Sequence, residues 1–96
     1  MDVVKEQLVT APNNSMYLCE NQEILQEVEE LKNELNRSDI TIMTLDWLNN
    51  HWRDLNLFNY IIIDHRLELT PEQLDEIQYI NFYLEMKSSR IQEFLD

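Results

Sequence analysis

Residues 57–69, Leu57-Phe58-Asn59-Tyr60-Ile61-Ile62-Ile63-Asp64-His65-Arg66-Leu67-Glu68-Leu69, decide the fold. From Ile61 onward the odd positions are Ile61, Ile63, His65, Leu67 and Leu69, and after Ile62 the even ones are Asp64, Arg66 and Glu68. That alternation, rich in β-branched residues at its start, is the pattern of a strand. As a helix the same stretch is apolar almost all round, and such a helix must be central and buried. A strand needs a pairing partner, and only residues 40–44 or 3–9 offer one. We adopt the helical reading, which gives a mainly α fold. The alternative is an α+β fold with 60–69 as a strand.

Following this stretch, Thr70-Pro71-Glu72-Gln73 starts a helix predicted over 71–95. Thr70 suits the N-cap, Pro71 the first helical position, and Gln73 can close a capping box. No further Pro and no Gly interrupts the run, so a helix of about 25 residues, roughly 37 Å long, is expected. Ile77, Ile80, Leu84, Ile91 and Leu95 form an aliphatic stripe at helical spacing. Tyr79, Phe82, Tyr83 and Met86 project from the opposite side, with Asp75, Glu76 and Glu85 around them. One stripe is enough to seat a helix on a small core. The aromatic side is therefore either covered by another part of the chain or forms an interface. Rigid aromatic anchors, Met and a charged edge have the composition of an interface.

Before the deciding stretch, Leu45, Leu48, Trp52 and Leu55 predict a helix started by Ser38 or Thr44, with a bend expected at Asn49-Asn50. Asn36-Arg37-Ser38-Asp39 is a turn. A coiled-coil-like helix is predicted over 15–36, capped by Asn14 or Ser15. Its stripe runs from Tyr17 through Ile24, Val28, Leu31 and Leu35, with Asn21 in the same register. Ile24, Val28, Leu31 and Leu35 are the candidate oligomer seam. The other faces carry Glu20, Glu23, Glu27, Glu29, Glu30 and Glu34 against Lys32 alone, so parallel copies would repel. Residues 1–12, with Val3, Val4, Leu8 and Val9 before Pro12, read as a semi-independent arm of a single domain spanning 1–96.

Hydrophobic residues make up 44% of the 96, too many for a disordered acidic tail. Nineteen acidic against seven basic side chains give −12, a field that repels nucleic acid and anionic membranes and favours basic protein surfaces. The seven basic residues are scattered and form no nucleic-acid footprint. The single Cys19 excludes an internal disulfide and a cysteine zinc cluster, and it fits a reducing cytoplasm. There is no membrane-spanning apolar run, and the first residues lack the pattern of a secretion signal. With no Gly, the chain lacks the phosphate loops and dinucleotide fingerprints that depend on it and must turn on Asn, Asp and Pro.

Catalysis finds little support in these residues. Asp64-His65-Arg66 is suggestive, but adjacent residues face different ways on a helix or a strand, and His65 falls in line with apolar positions as a hydrogen-bonded core or interface imidazole. Cys19 has Glu20 beside it and no activating cation. No catalytic residue, metal or cofactor is expected. The predicted function is a protein-protein interaction module, acting as a stoichiometric regulator or inhibitor of a partner with a basic or apolar surface. The alternatives are a structural homodimer with no other partner and an acidic nucleic-acid mimic that occupies a DNA-binding protein. As a whole the chain resembles the small acidic accessory proteins carried by low-GC Gram-positive bacteria and their temperate phages, particularly large Bacillus prophages. That resemblance lies in overall character, transfers no functional residue, and implies a regulatory or host-takeover partner protein of the cytoplasm.

Overall fold

A computed structural model describes residues 3–51 and 58–95, with side chains as far as Met86. Among the described residues, helices and strands alternate. The order is α1 (Val3–Thr10), β1 (Ser15–Cys19), α2 (Gln22–Glu34), β2 (Thr41–Thr44), α3 (Leu45–Asn50), β3 (Tyr60–Ile63) and α4 (Pro71–Leu95). The three strands form one parallel sheet in the order β2-β1-β3. Met16 pairs with both Thr41 and Ile61, and Leu18 with both Met43 and Ile63.

The fold is thus mixed α and β, and the mainly α expectation is overturned. The deciding stretch does contain a strand, but only over 60–63, and its partner is Ser15–Cys19 rather than 40–44 or 3–9. Residues 15–19, expected to open the coiled-coil-like helix, form the central strand, with every residue buried. The physical reason is that a parallel strand covered on both faces reads as an unbroken apolar run, not as an alternation. Ser15-Met16-Tyr17-Leu18-Cys19 contains no β-branched residue to mark it.

Period two sorts the sheet into two cores. Tyr17, Cys19, Ile42 and Ile62 face one side, where Val4 and Leu8 of α1 and Val28 of α2 cover them. Met16, Leu18 and Ile61 face the other, under Leu48 of α3 and Ile77 and Leu84 of α4, with Met43, Ile63 and Ile80 beside them. Residues 3–10 are therefore a docked helix and not an arm. Val4 and Leu8 are buried, and the Arg37 guanidinium donates to the carbonyls of Leu8 (2.7 Å) and Ala11 (3.1 Å) just past the helix. Arg37 also holds Asp39, whose carboxyl the guanidinium and the Asn14 N–H keep well below the usual range.

The caps at Thr44 and Thr70 follow the sequence, but α2 is not capped by Asn14 or Ser15, because 15–19 is a strand and the helix starts only at Gln22. Asn21 is the N-cap of α2, its Oδ1 accepting from Ile24 N at 3.0 Å, rather than a polar member of a coiled-coil stripe. Thr44 caps α3 and Thr70 caps α4, where Gln73 closes the predicted box through both reciprocal bonds. Turns without Gly fall on Asn14 (φ 58°) and Asn36 (φ 55°), the left-handed region that Asn tolerates best among the other residues. Trp52 and Leu55 of the predicted third stripe lie outside the described residues, as do the side chains of Ile91 and Leu95.

The outer edge of β3 is closed by side chains. The Asn81 amide on α4 accepts from Ile61 N (2.8 Å) and donates to Ile61 O (3.0 Å), standing where a further strand would bond. Gln7 on α1 donates to Ile63 O at 2.8 Å. A parallel sheet this small needs such stops against edge-to-edge pairing.

Candidate functional site

Helix α4 is seated by Ile77, Ile80 and Leu84, and its opposite face points to solvent. Tyr79 is 72% exposed, Phe82 61%, Tyr83 57% and Met86 44%. Residues 58–69, a stretch apolar enough to cover these side chains, instead form β3 at one edge of the sheet and pack Leu67 and Leu69 against the inner core. The other exposed large apolar residues among those described are Leu74 on the same helix and Val3 and Val9 on α1. Asp75, Glu76 and Glu85, also exposed, stand around the patch. An open recess of about 350 Å³ lies beside Tyr79, lined by Asp75, Glu76, Tyr79 and Ile80. Scattered single apolar residues are ordinary on a surface, but four large ones on one helix face make this the candidate contact surface.

The candidate seam behaves differently. Val28 is fully buried, and Ile24, Leu31 and Leu35 pack against the core formed by α1 and the sheet. This stripe packs within the chain, with Ile24, Leu31 and Leu35 only partly buried at its edge. Its helix remains anionic outside, with Lys32 drawn inward to Ile40 O at 3.0 Å and to Glu29 at 3.4 Å.

A second cluster gathers at the carboxyl ends of β1 and β3, where the chain leaves neighbouring strands towards opposite faces of the sheet. In open parallel sheets that crevice is the usual ligand position. Here it is filled by a closed network. Asp64 is 1% exposed and accepts from Tyr17 Oη (2.6 Å), from the Arg66 backbone N–H (2.8 Å) and from the Arg66 guanidinium at both oxygens (3.0 Å each). Arg66 continues to Glu27 on α2 at 3.1 Å, and Tyr17 Oη also lies 3.0 Å from Gln7 Oε1. Burial pushes the Asp64 carboxyl up, but the bonds from Arg66 and Tyr17 outweigh it and hold the group below its ordinary range. Burial and the Asp64 bond together keep the Tyr17 hydroxyl protonated. A turn follows β3 and brings the Arg66 backbone N–H, as well as its guanidinium, back onto the Asp64 carboxylate. Among the described residues no buried side-chain nitrogen or oxygen lacks a hydrogen-bond partner, and the cluster joins β1, β3, α1 and α2.

His65 is exposed on that turn, 3.9 Å from Asp64, and not in the apolar row where alternation placed it. Burial, with a smaller push from Asp64, takes the Cys19 thiol up to about 11, leaving it protonated and inert at neutral pH. His51 stacks on Trp47 with centroids 4.5 Å apart and contacts Trp47 O at 2.8 Å, closing the end of α3. A recess of about 540 Å³ at the carboxyl ends of β1 and β2 is lined by Glu20, Asn21, Gln22, Glu23, Thr44 and Asp46. It presents three carboxylates and no cation, which is hostile to phosphate. Among the described residues no three His, Cys, Asp or Glu side chains converge as metal ligands, and no helix is long and apolar enough to cross a membrane.

The outward face of α4 is thus the one large unsatisfied surface among the described residues, and the sequence had singled it out by its surplus of aromatic residues. The Asp64 network is what sequence reasoning missed; the only signal was a charged triplet directly after an apolar run. In comparisons with known proteins, no family model, no curated protein and no solved structure matches the chain.

Proposed function

We propose that the protein is a non-enzymatic interaction module that acts by stoichiometric contact through the outward face of α4. The single observation that carries this is the exposure of Tyr79, Phe82, Tyr83 and Met86 on a helix already seated by its other side. Aromatic and Met side chains concentrate at interface centres because they bury large area with few rotatable bonds. The carboxylates of Asp75, Glu76 and Glu85 select a surface that is apolar at its middle and basic at its rim, and the overall charge of −12 speeds the approach of such a surface. A regulator or inhibitor of a host or phage protein in the cytoplasm fits this chemistry. The buried, protonated Cys19 is at home in a reducing compartment.

The test is capture from host lysate at low and high salt, with wild type and a Tyr79→Ala/Tyr83→Ala variant whose fold is checked by circular dichroism. A partner held by wild type and lost by the folded variant, with modest weakening in salt, is the expected result. A partner retained by the variant would move the interface to the glutamate-rich α2. Binding that collapses in high salt yet ignores the aromatic residues would instead favour nucleic-acid mimicry.

A further inference from the structure

We propose that the recess beside Tyr79 receives one arginine side chain of the protein partner, its aliphatic stem on Tyr79 and Ile80 and its guanidinium on Asp75 and Glu76. This rests on the interface reading of the α4 face and names the chemistry that anchors there.

The first support is the makeup of the recess. It holds about 350 Å³, and its accessible wall is almost wholly apolar although Asp75 and Glu76 line it together with Tyr79 and Ile80. The carboxylate oxygens therefore stand at its lip and not in its wall. A purely apolar side chain would fill the wall and leave the carboxylates unmatched. A small hydrated cation would match the carboxylates and leave the wall wet. A side chain with an apolar stem and a cationic head satisfies both.

Charge supplies the second support. Among the described residues, Glu29, Asp39 and Asp64 each have a basic partner within 4.0 Å, whereas Asp75 and Glu76 have none. They bring uncompensated charge to the recess, in a chain of −12 overall. Such a lip attracts a cation from outside and repels a phosphate, an acidic peptide or a second copy of the same face. The positive end of the α4 dipole, at Pro71, is already met by Glu72.

Tyr79 decides between the two basic side chains. It is 72% exposed, so its ring is open to stacking. A planar guanidinium can lie on that ring and donate to carboxylates from its edge, which a compact ammonium does less well.

The test titrates the isotopically labelled full chain with the peptide acetyl-Ser-Leu-Leu-Arg-Leu-Leu-Ser-amide, with amide shifts locating the site. Two further peptides carry lysine, or citrulline as the neutral isostere, in place of the arginine. Saturable binding below about 1 mM is expected for the arginine peptide, with the largest shifts at Asp75, Glu76, Tyr79 and Ile80. Citrulline should weaken it by about tenfold or more, and lysine by less. Asp75→Asn/Glu76→Gln, at two exposed positions, should weaken it as much as citrulline does. Glu30→Gln/Glu34→Gln, equally exposed on α2, removes the same charge and should leave it unchanged. Equal binding of the citrulline peptide, no binding of any peptide, or equal loss from both charge removals overturns the proposal. Those outcomes leave the interface reading standing where a lysate partner is still lost with Tyr79→Ala/Tyr83→Ala. A partner indifferent to that variant overturns both readings together.

Discussion

Replacing Asp64 with alanine is expected to cost about 3–5 kcal/mol, the penalty for breaking a buried charge pair by removing one partner. Total stability for a domain of this size is about 5–15 kcal/mol, so this one change leaves the fold marginal or lost. The cost is high because Asp64 is 1% exposed and four hydrogen bonds end on it. Without it, the Tyr17 hydroxyl keeps only Gln7 and the Arg66 guanidinium only Glu27. A shift of the urea midpoint measures the loss, and an unchanged midpoint would mean the network does not hold β1 to β3. The isosteric Asp64→Asn variant isolates the charge. The folded carboxyl titrates below its ordinary value, so its contribution is complete above about pH 4, the unfolded value, and is lost as pH falls through the folded one. Wild-type stability should therefore drop steeply in acid. Asp64→Asn should start lower at neutral pH and fall less. Asp39, held low by Arg37, adds to the drop in both proteins.

The second large effect is expected at Leu8, where substitution by alanine should cost about 2–5 kcal/mol from lost transfer energy and the cavity left behind. Leu8 is fully buried between α1 and the sheet, in contact with the core that contains Tyr17, Val28 and Ile62. Its carbonyl receives the Arg37 guanidinium at 2.7 Å. A chain lacking residues 1–11 should fail to fold, because one face of β1 would lose its cover. Chemical denaturation of Leu8→Ala decides the point, and stability within about 0.5 kcal/mol of wild type would return α1 to the status of an arm.

Local rules carried far in this sequence. The cap and box at Thr70 and Gln73, the length of α4, the Asn turns and the two faces of α4 all follow from short-range chemistry, which a few residues specify by themselves. The strand at Tyr60–Ile63 is itself an unbroken apolar run, whereas the alternation that signals a strand lies mainly over 64–69, beyond its end. The adopted helical reading therefore fails, and the strand alternative is right only for 60–63. What stayed hidden was pairing. Ser15–Cys19 has neither alternation nor β-branching, and its identity as central strand depends on β2 and β3, which lie 25 and 45 residues away in register (Met16 to Thr41 and to Ile61). Helix α2 was legible from Ile24 on, yet its stripe looks the same whether it meets a sheet or another helix. The α4 face could be recognised as surplus, but whether it was covered depended on where 57–69 went.

The measurement closest to the central claim compares the two faces of α4 by chemical denaturation, at a concentration where the chain is monomeric. Ile77→Ala and Leu84→Ala, on the buried side, should each cost about 2–5 kcal/mol. Tyr79→Ala and Tyr83→Ala, on the exposed side, should each stay within about 0.5 kcal/mol of wild type. Losses at Tyr79 and Tyr83 as large as those at Ile77 and Leu84 would show that the aromatic face is core, and would contradict its role as an interface.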